Sequence, residues 1–215
     1  EIGVRLVGSE MCIRDSCKSI QKESGDIMKI VLASASPRRR ELIRKIYDLQ
    51  ATVVPSDIVE DIGVCEPAEY VKKLAELKAC DVYSRTGGVV VGADTVVTYN
   101  GKIYGKPKSF SEAEQMFKEL CGRTHSVITG VCVTNGERTV TDCVTTYVTF
   151  GDYDPALVQS YIMSGSPFDK AGGYGLQDAE LKALVVNVDG DRDNVVGLPV
   201  KKLEEMLKVF REIVK

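Results

Sequence analysis

The amino-acid sequence predicts a mixed α/β fold in which a central sheet carries flanking helices, a β-hairpin lobe and a cleft. Apolar strand-like runs alternate with amphipathic helical segments, the pattern of a sheet covered by helices. Two Asn-Gly pairs lie between strand signals, so hairpins interrupt the alternation and the sheet should be mixed rather than purely parallel. No internal repeat or linker-like stretch divides the chain, and 215 residues suffice for one sizeable domain. We expect that domain to span 28–215. Residues 1–27 show no sustained period and lack the apolar centre of a secretory signal, and they read as a non-native or disordered leader.

The first strand is the run Met28-Lys29-Ile30-Val31-Leu32. The stretch from Ala33 to Leu42 then reads ASASPRRREL, a tight loop of small residues leading into a helix with Ser36 as N-cap and Pro37 at its first position. That helix is expected over Arg38–Leu49, with Leu42, Ile43, Ile46 and Leu49 on one face. A second covers Pro67–Tyr83 and turns Tyr70, Val71, Leu74, Leu77 and Cys80 inward. A third runs over Ser111–Leu120 around Ala113, Met116, Phe117 and Leu120, and Gly122 stops it. A short fourth spans Pro155–Met163. The fifth, Val200–Val214, carries the stripe Val200, Leu203, Leu207, Phe210 and Val214, read as core packing. Among the strands, Val89–Val97 is almost wholly apolar and is expected to be buried on both faces. Asn100-Gly101 joins it to Lys102-Ile103-Tyr104 through a type I′ turn. His125–Thr134 and Thr139–Phe150 form a longer ribbon around Asn135-Gly136, and Ala183–Val188 is a last short strand.

The chemistry concentrates in a few places. ASASPRRREL gathers hydroxyls and guanidinium groups around free N–H groups at a helix start, which suits an anion and most naturally a phosphate. An ordinary capped helix with solvated arginines explains the same residues equally well. Asp94 follows an apolar run, where an unpaired carboxylate would cost several kcal/mol to desolvate. It must therefore end the strand or be paired with a cation or metal; the plainer alternative is a turn cap. Lys106 precedes a rigid Pro107, Glu60 is one acid of several in a loop, and Lys78 reads by default as a solvated helix lysine. In Pro167–Gln177, three glycines beside Asp169-Lys170 and Tyr174 suggest backbone lying close to a ligand, with a flexible turn as the alternative. Holding a polyphosphate needs several cations at once, and Arg38, Arg39, Lys106 and Lys170 are the candidates.

Composition narrows the partners. A net charge of −3 with no basic stripe argues against nucleic acid and against an anionic membrane surface, and no run approaches the roughly 20 apolar residues of a membrane span. Seven scattered cysteines without a CxxC pair read as small buried residues in a reducing, cytoplasmic setting. His125 is the only histidine, so a structural zinc site is not expected.

The motifs ASASPRRREL, GADTVV, GKP, GRTHSVITG, DKAGGYGLQ and NVVGLP, in that order over Met28 to about Phe210, resemble the Maf-like nucleoside triphosphate pyrophosphatases. The resemblance implies a Maf/ITPase-like fold with a deep cleft, often dimeric. It implies a dependence on a divalent cation, Mg²⁺ or Mn²⁺, and hydrolysis of nucleoside triphosphates between the α and β phosphates. By motif, Asp94 matches the catalytic proton acceptor, and Arg38, Thr95 and Gln177 match substrate-discriminating positions. Ser34, Arg39, Glu60, Lys78 and Lys106 match other cleft residues, with Asp94 and Glu60 as metal ligands. Gln177 in its YGxQ setting resembles the subfamily acting on dTTP and UTP. The alternatives are the family's 7-methyl-GTP subfamily and a non-catalytic nucleotide-binding regulator of cell division. The chain departs from the family pattern at Asp57, Val59, Asp178-Ala179-Glu180 and Arg192.

Overall fold

A computed structural model describes residues 27–60, 62–63 and 65–211; apart from Ile27, the expected leader lies outside them. Strand β1 (Met28–Ala33) leads through a three-residue loop into helix α1 (Pro37–Ile43), and β2 (Leu49–Val53) returns beside β1. Helix α2 (Pro67–Thr86) crosses to β3 (Val90–Tyr99), which turns into β4 (Lys102–Tyr104). Then follow α3 (Phe110–Leu120), β5 (Thr124–Thr134), β6 (Thr139–Phe150) and α4 (Pro155–Met163). Three short 3₁₀ turns occupy the stretch from Ser166 to Ala183, before β7 (Val185–Asp189), α5 (Arg192–Val196) and α6 (Val200–Arg211).

The strands form one seven-stranded sheet in the order β2-β1-β3-β5-β6-β7, with β4 added to β3. β1 runs parallel to β2 and β3, and the remaining pairings are antiparallel, so the sheet is mixed. Asn100 (φ 49°) and Gly101 (φ 76°) both take left-handed conformations, as the type I′ turn of the β3–β4 hairpin requires.

Helices cover both faces. On one, α1 and α6 bury Leu42, Ile43, Leu203, Leu207 and Phe210 against Ile30, Leu32, Val91, Ala93, Val131 and Val133. Full burial of each such side chain contributes about 1.5–3 kcal/mol. On the other face, α2 sets Ala75, Ala79 and Val82 against Ala33, Val90 and Cys132. A Cβ at Gly92 would lie 2.1 Å from the Ala75 carbonyl oxygen, and one at Gly130 would lie 2.3 Å from that of Val71. Two glycines on neighbouring strands thus seat the helix backbone directly on the sheet. A second lobe packs α3 and α4 around Phe117, Phe150, Tyr161 and Tyr174.

Several sequence expectations change. The first helix ends at Ile43 instead of Leu49; Asp48 adopts φ 60° and Leu49 opens β2, a strand the helical period concealed. On α2, Val71 and Leu74 face inward as expected, Leu77 and Cys80 face outward, and Ala75, Lys78, Ala79 and Val82 complete the buried face, with Ala75 and Ala79 where the helix backbone comes closest to Gly92. The last strand starts at Val185, after the 3₁₀ turn over Ala179–Ala183, and a short helix precedes Gly197. Val214 lies outside the described residues.

Candidate active site

The site exists because β3 is only partly flanked. Along Val90–Thr98 it pairs with β5, but on its other edge β1 accompanies it only to Gly92 and β4 only from Val97. From Ala93 to Val96 that edge is open. Here β1 has ended and its chain turns away into α1, while α2 passes on the opposite face, the kind of place where α/β sheets bind ligands. A cavity of about 410 Å³ occupies the gap, and a second of about 260 Å³ adjoins it along Ala33–Arg39. Because the edge is open, Asp94 and Thr95 both border the cavity, although neighbours in a strand point to opposite faces of the sheet.

Asp94 lies mid-strand rather than at a strand end, and it is buried. Its partner is Lys78, whose ammonium donates to Oδ1 at 2.6 Å and also lies 2.6 Å from Glu60 Oε1. Lys78 is itself 8% exposed, so the solvated helix lysine expected from sequence is instead a buried cation. The glycine seat explains the meeting: Gly92 lies two residues before Asp94, and Gly130 is its cross-strand partner. Burial pushes the Glu60 carboxyl up, but the Lys78 hydrogen bond, with the charges of Lys78, Lys106 and Arg39, outweighs it and holds the acid below its ordinary range.

On the other face Arg39 acts as a clamp. Nε donates to the Gly197 carbonyl at 2.7 Å, Nη2 to Thr95 Oγ1 at 2.9 Å and Nη1 to Ser34 Oγ at 3.5 Å. Burial pulls its guanidinium below the usual range against the opposing pull of Asp94 and Glu60. Ser34 Oγ also accepts from the Ser36 N–H, and Ser36 caps α1 by accepting from the Arg39 N–H. Arg38 bonds Asp169 twice, at 2.7 Å to Oδ2 and 2.9 Å to the carbonyl oxygen.

Lys170 donates to Ser166 O at 2.6 Å, Ser166 Oγ at 2.8 Å and Asp169 Oδ1 at 2.8 Å. Its three N–H donors are therefore committed inside the protein. Asp178 accepts from Tyr161 and Ser166 in the same cluster, so this departure from the family pattern anchors a loop. Gly172 and Gly173 pack against Val97 and Pro107, not against open space. Only Gly175 of the three glycines borders the cavity.

All ten residues singled out in the sequence line one or both hollows: Ser34, Arg38, Arg39, Glu60, Lys78, Asp94, Thr95, Lys106, Lys170 and Gln177. Lys106 and Gln177 are exposed at the rim. Sequence reasoning missed Lys108, Tyr70 and Asp169 as wall residues, and Thr129 and Asn194 behind Thr95. Six cationic side chains (Arg38, Arg39, Lys78, Lys106, Lys108, Lys170) face three carboxylates (Glu60, Asp94, Asp169), an excess of positive charge in a chain whose net charge is −3. Such a hollow captures an anion by local field alone.

The pattern of the family described as "Maf-like protein" matches residues 29–210. The chain belongs to that family. Among relatives of this Maf-like protein, the dTTP/UTP pyrophosphatase of Thermococcus onnurineus is 46% identical over 82% of this chain and 97% of its own length. That of Bacillus cereus is 40% identical over 89% of this chain and 94% of its own length. Among solved structures, the Staphylococcus aureus Ham1 protein aligns at a TM-score of 0.49 and 18% identity, covering 87% of this chain and all of that one; the assignment does not rest on so weak a likeness.

The donor set of this Maf-like site suits a hard divalent cation. No group of three His, Cys, Asp or Glu side chains occurs among the described residues, but Asp94 and Glu60 converge on one point, the Lys78 ammonium. Mg²⁺ commonly binds through one or two carboxylates and completes its shell with water and substrate phosphates. Asp94 and Glu60 are a carboxylate pair of that kind, already bridged by Lys78. No helix among the described residues is long and apolar enough to cross a membrane.

Proposed function

We infer that this chain is a nucleoside triphosphate pyrophosphatase that hydrolyses dTTP and UTP to the monophosphate and pyrophosphate. The observation that carries the reading is a buried carboxylate, Asp94, on the wall of a hollow rich in cations. Relatives 40–46% identical are named dTTP/UTP pyrophosphatases, which supports the same substrates here.

In this reading Lys78 fixes Asp94 through Oδ1, and Oδ2 accepts the proton of the attacking water. As the water oxygen bonds to phosphorus, the bond linking the α-phosphorus to its bridging oxygen breaks, and pyrophosphate leaves with the electron pair. Arg38, Lys106 and Lys108 hold the phosphate charge. The Arg38–Asp169 pair is solvent-facing on its acid side, worth about 0–1 kcal/mol, so a phosphate displaces Asp169 readily. Asp94 and Glu60 would hold a divalent cation, Mg²⁺ or Mn²⁺, which supplies charge neutralisation to the triphosphate when bound. The Gln177 side-chain NH₂ donates to a carbonyl oxygen on the edge of uracil or thymine. The family resemblance, with its often dimeric members, adds a homodimer to the proposal, and the scattered cysteines add a cytoplasmic location.

Pyrophosphate release from UTP, dTTP, CTP, GTP and 7-methyl-GTP with Mg²⁺ tests it. UTP and dTTP should turn over fastest, and Asp94→Asn should lower turnover by about 10²–10⁴-fold while nucleotide still binds. Binding without turnover by the unaltered chain, preference for 7-methyl-GTP, or an undiminished Asp94→Asn variant overturns it.

A further inference from the structure

Thr95 stands in a chain of hydrogen bonds whose direction is fixed from end to end. Arg39 Nη2 donates to Thr95 Oγ1 at 2.9 Å, since a guanidinium only donates. At the far end, Thr129 Oγ1 lies 2.9 Å from the Asn194 carbonyl oxygen, which only accepts, so the single Thr129 proton goes there. The 3.0 Å contact between the two threonine hydroxyls then has one solution: Thr95 donates and Thr129 accepts. Thr95 has committed its proton and one lone pair. Toward the cavity it retains only a lone pair, which can accept but not donate.

The far end of this chain is rigid. Thr129 and Asn194 are fully buried, and the Asn194 amide donates to the Val127 carbonyl at 3.1 Å and to Thr146 Oγ1 at 2.9 Å. Those bonds pin the residue whose carbonyl takes the Thr129 proton. A hydroxyl free to rotate would suit either a donor or an acceptor on a ligand; this one is set.

Resting on the pyrimidine pyrophosphatase reading, we propose that Thr129 is a specificity-positioning residue. By taking the Thr95 proton it keeps Thr95 an acceptor for the N3–H of uracil or thymine and closes it to cytosine, whose N3 is a lone pair. Two lone pairs facing each other leave both unsatisfied, which is how a hydrogen-bonding site rejects the wrong analogue. Thr129 touches no ligand and acts through Thr95.

The experiment compares kcat/KM for UTP and CTP in the unaltered protein, Thr129→Val and Thr129→Ser. Valine preserves the shape and releases the Thr95 proton, so the UTP-over-CTP ratio should fall by about tenfold. Serine restores the acceptor and should return the ratio to that of the unaltered protein. On the unaltered protein, N3-methyl-UTP, which has no N3–H and keeps both carbonyls, should be poorer than UTP by at least about tenfold, a reading that needs no folded variant. A folded Thr129→Val that loses both nucleotides in equal proportion, or N3-methyl-UTP turned over as well as UTP, overturns the inference alone. No pyrophosphate from UTP with the unaltered protein overturns the underlying reading and this inference with it.

Discussion

Lys78 and Lys170 are both buried, each 8% exposed, and both face two carboxylates, yet their surroundings differ. Lys170 spends its donors on Ser166 O, Ser166 Oγ and Asp169, all within one loop, with Asp178 at 3.5 Å behind. It ties together the segment that forms one wall of the cavity. Lys78 instead reaches from α2 across to β3 and the Glu60 loop, bridging elements distant in the chain. One lysine saturates its hydrogen bonds locally and shapes a wall, and the other holds two acids at a point a ligand can reach. Burial of a cation, by itself, does not distinguish a latch from a reaction centre. The identity and origin of its partners do.

The largest effect that tests this contrast comes from Lys78→Met. It leaves Asp94 buried without its cation and should cost about 3–5 kcal/mol of stability by urea unfolding, with turnover falling in the molecules that remain folded. Lys170→Met should cost less, about 2–3 kcal/mol, because Asp178 keeps Tyr161 and Ser166; KM should rise while kcat holds. If Lys170→Met abolished kcat and Lys78→Met spared it, the contrast would be reversed.

A smaller effect comes from His125, which is buried beside Tyr174 on the latch side, with Nε2 2.6 Å from the tyrosine hydroxyl. Burial lowers its pKa from 6.5 to about 4, so between those values the unfolded chain binds the proton that the folded chain refuses. Stability should therefore fall as pH drops through that window, by about 2 kcal/mol between about pH 7 and 4.5. Urea unfolding at both values checks it, and His125→Phe should lack this part of the loss. The smallest expected effect is that of Ser36→Ala, which removes the α1 cap and should cost about 1 kcal/mol by the same measurement.

Much of the frame was legible in the sequence because its signals are local. The Asn-Gly hairpins, the caps and the stripes of α3, α4 and α6 each depend on residues close together in the chain. What sequence periodicity misjudged depends on contacts between distant segments. The inward face of α2 was misread because Gly92 and Gly130, on other strands, decide that alanines and Lys78 face the sheet. For Asp94 the sequence left a strand end and a cation partner both open, and it is the partner that the structure supplies, a lysine from a helix across the sheet that nothing local reveals. Thr129 and Asn194 lie within the motifs GRTHSVITG and NVVGLP, but neither motif tells what they touch; the β3–β5 register sets Thr129 opposite Thr95.

The open stretch of β3 between Gly92 and Val97 also bears on solubility. An unpaired strand edge ordinarily invites another chain to dock and aggregate. Here it lies at the back of a hollow of about 410 Å³, walled by α2, the start of α1 and the Lys170–Gln177 segment. The walls that surround the bare main chain are thus the same ones that form the recess for a small solute.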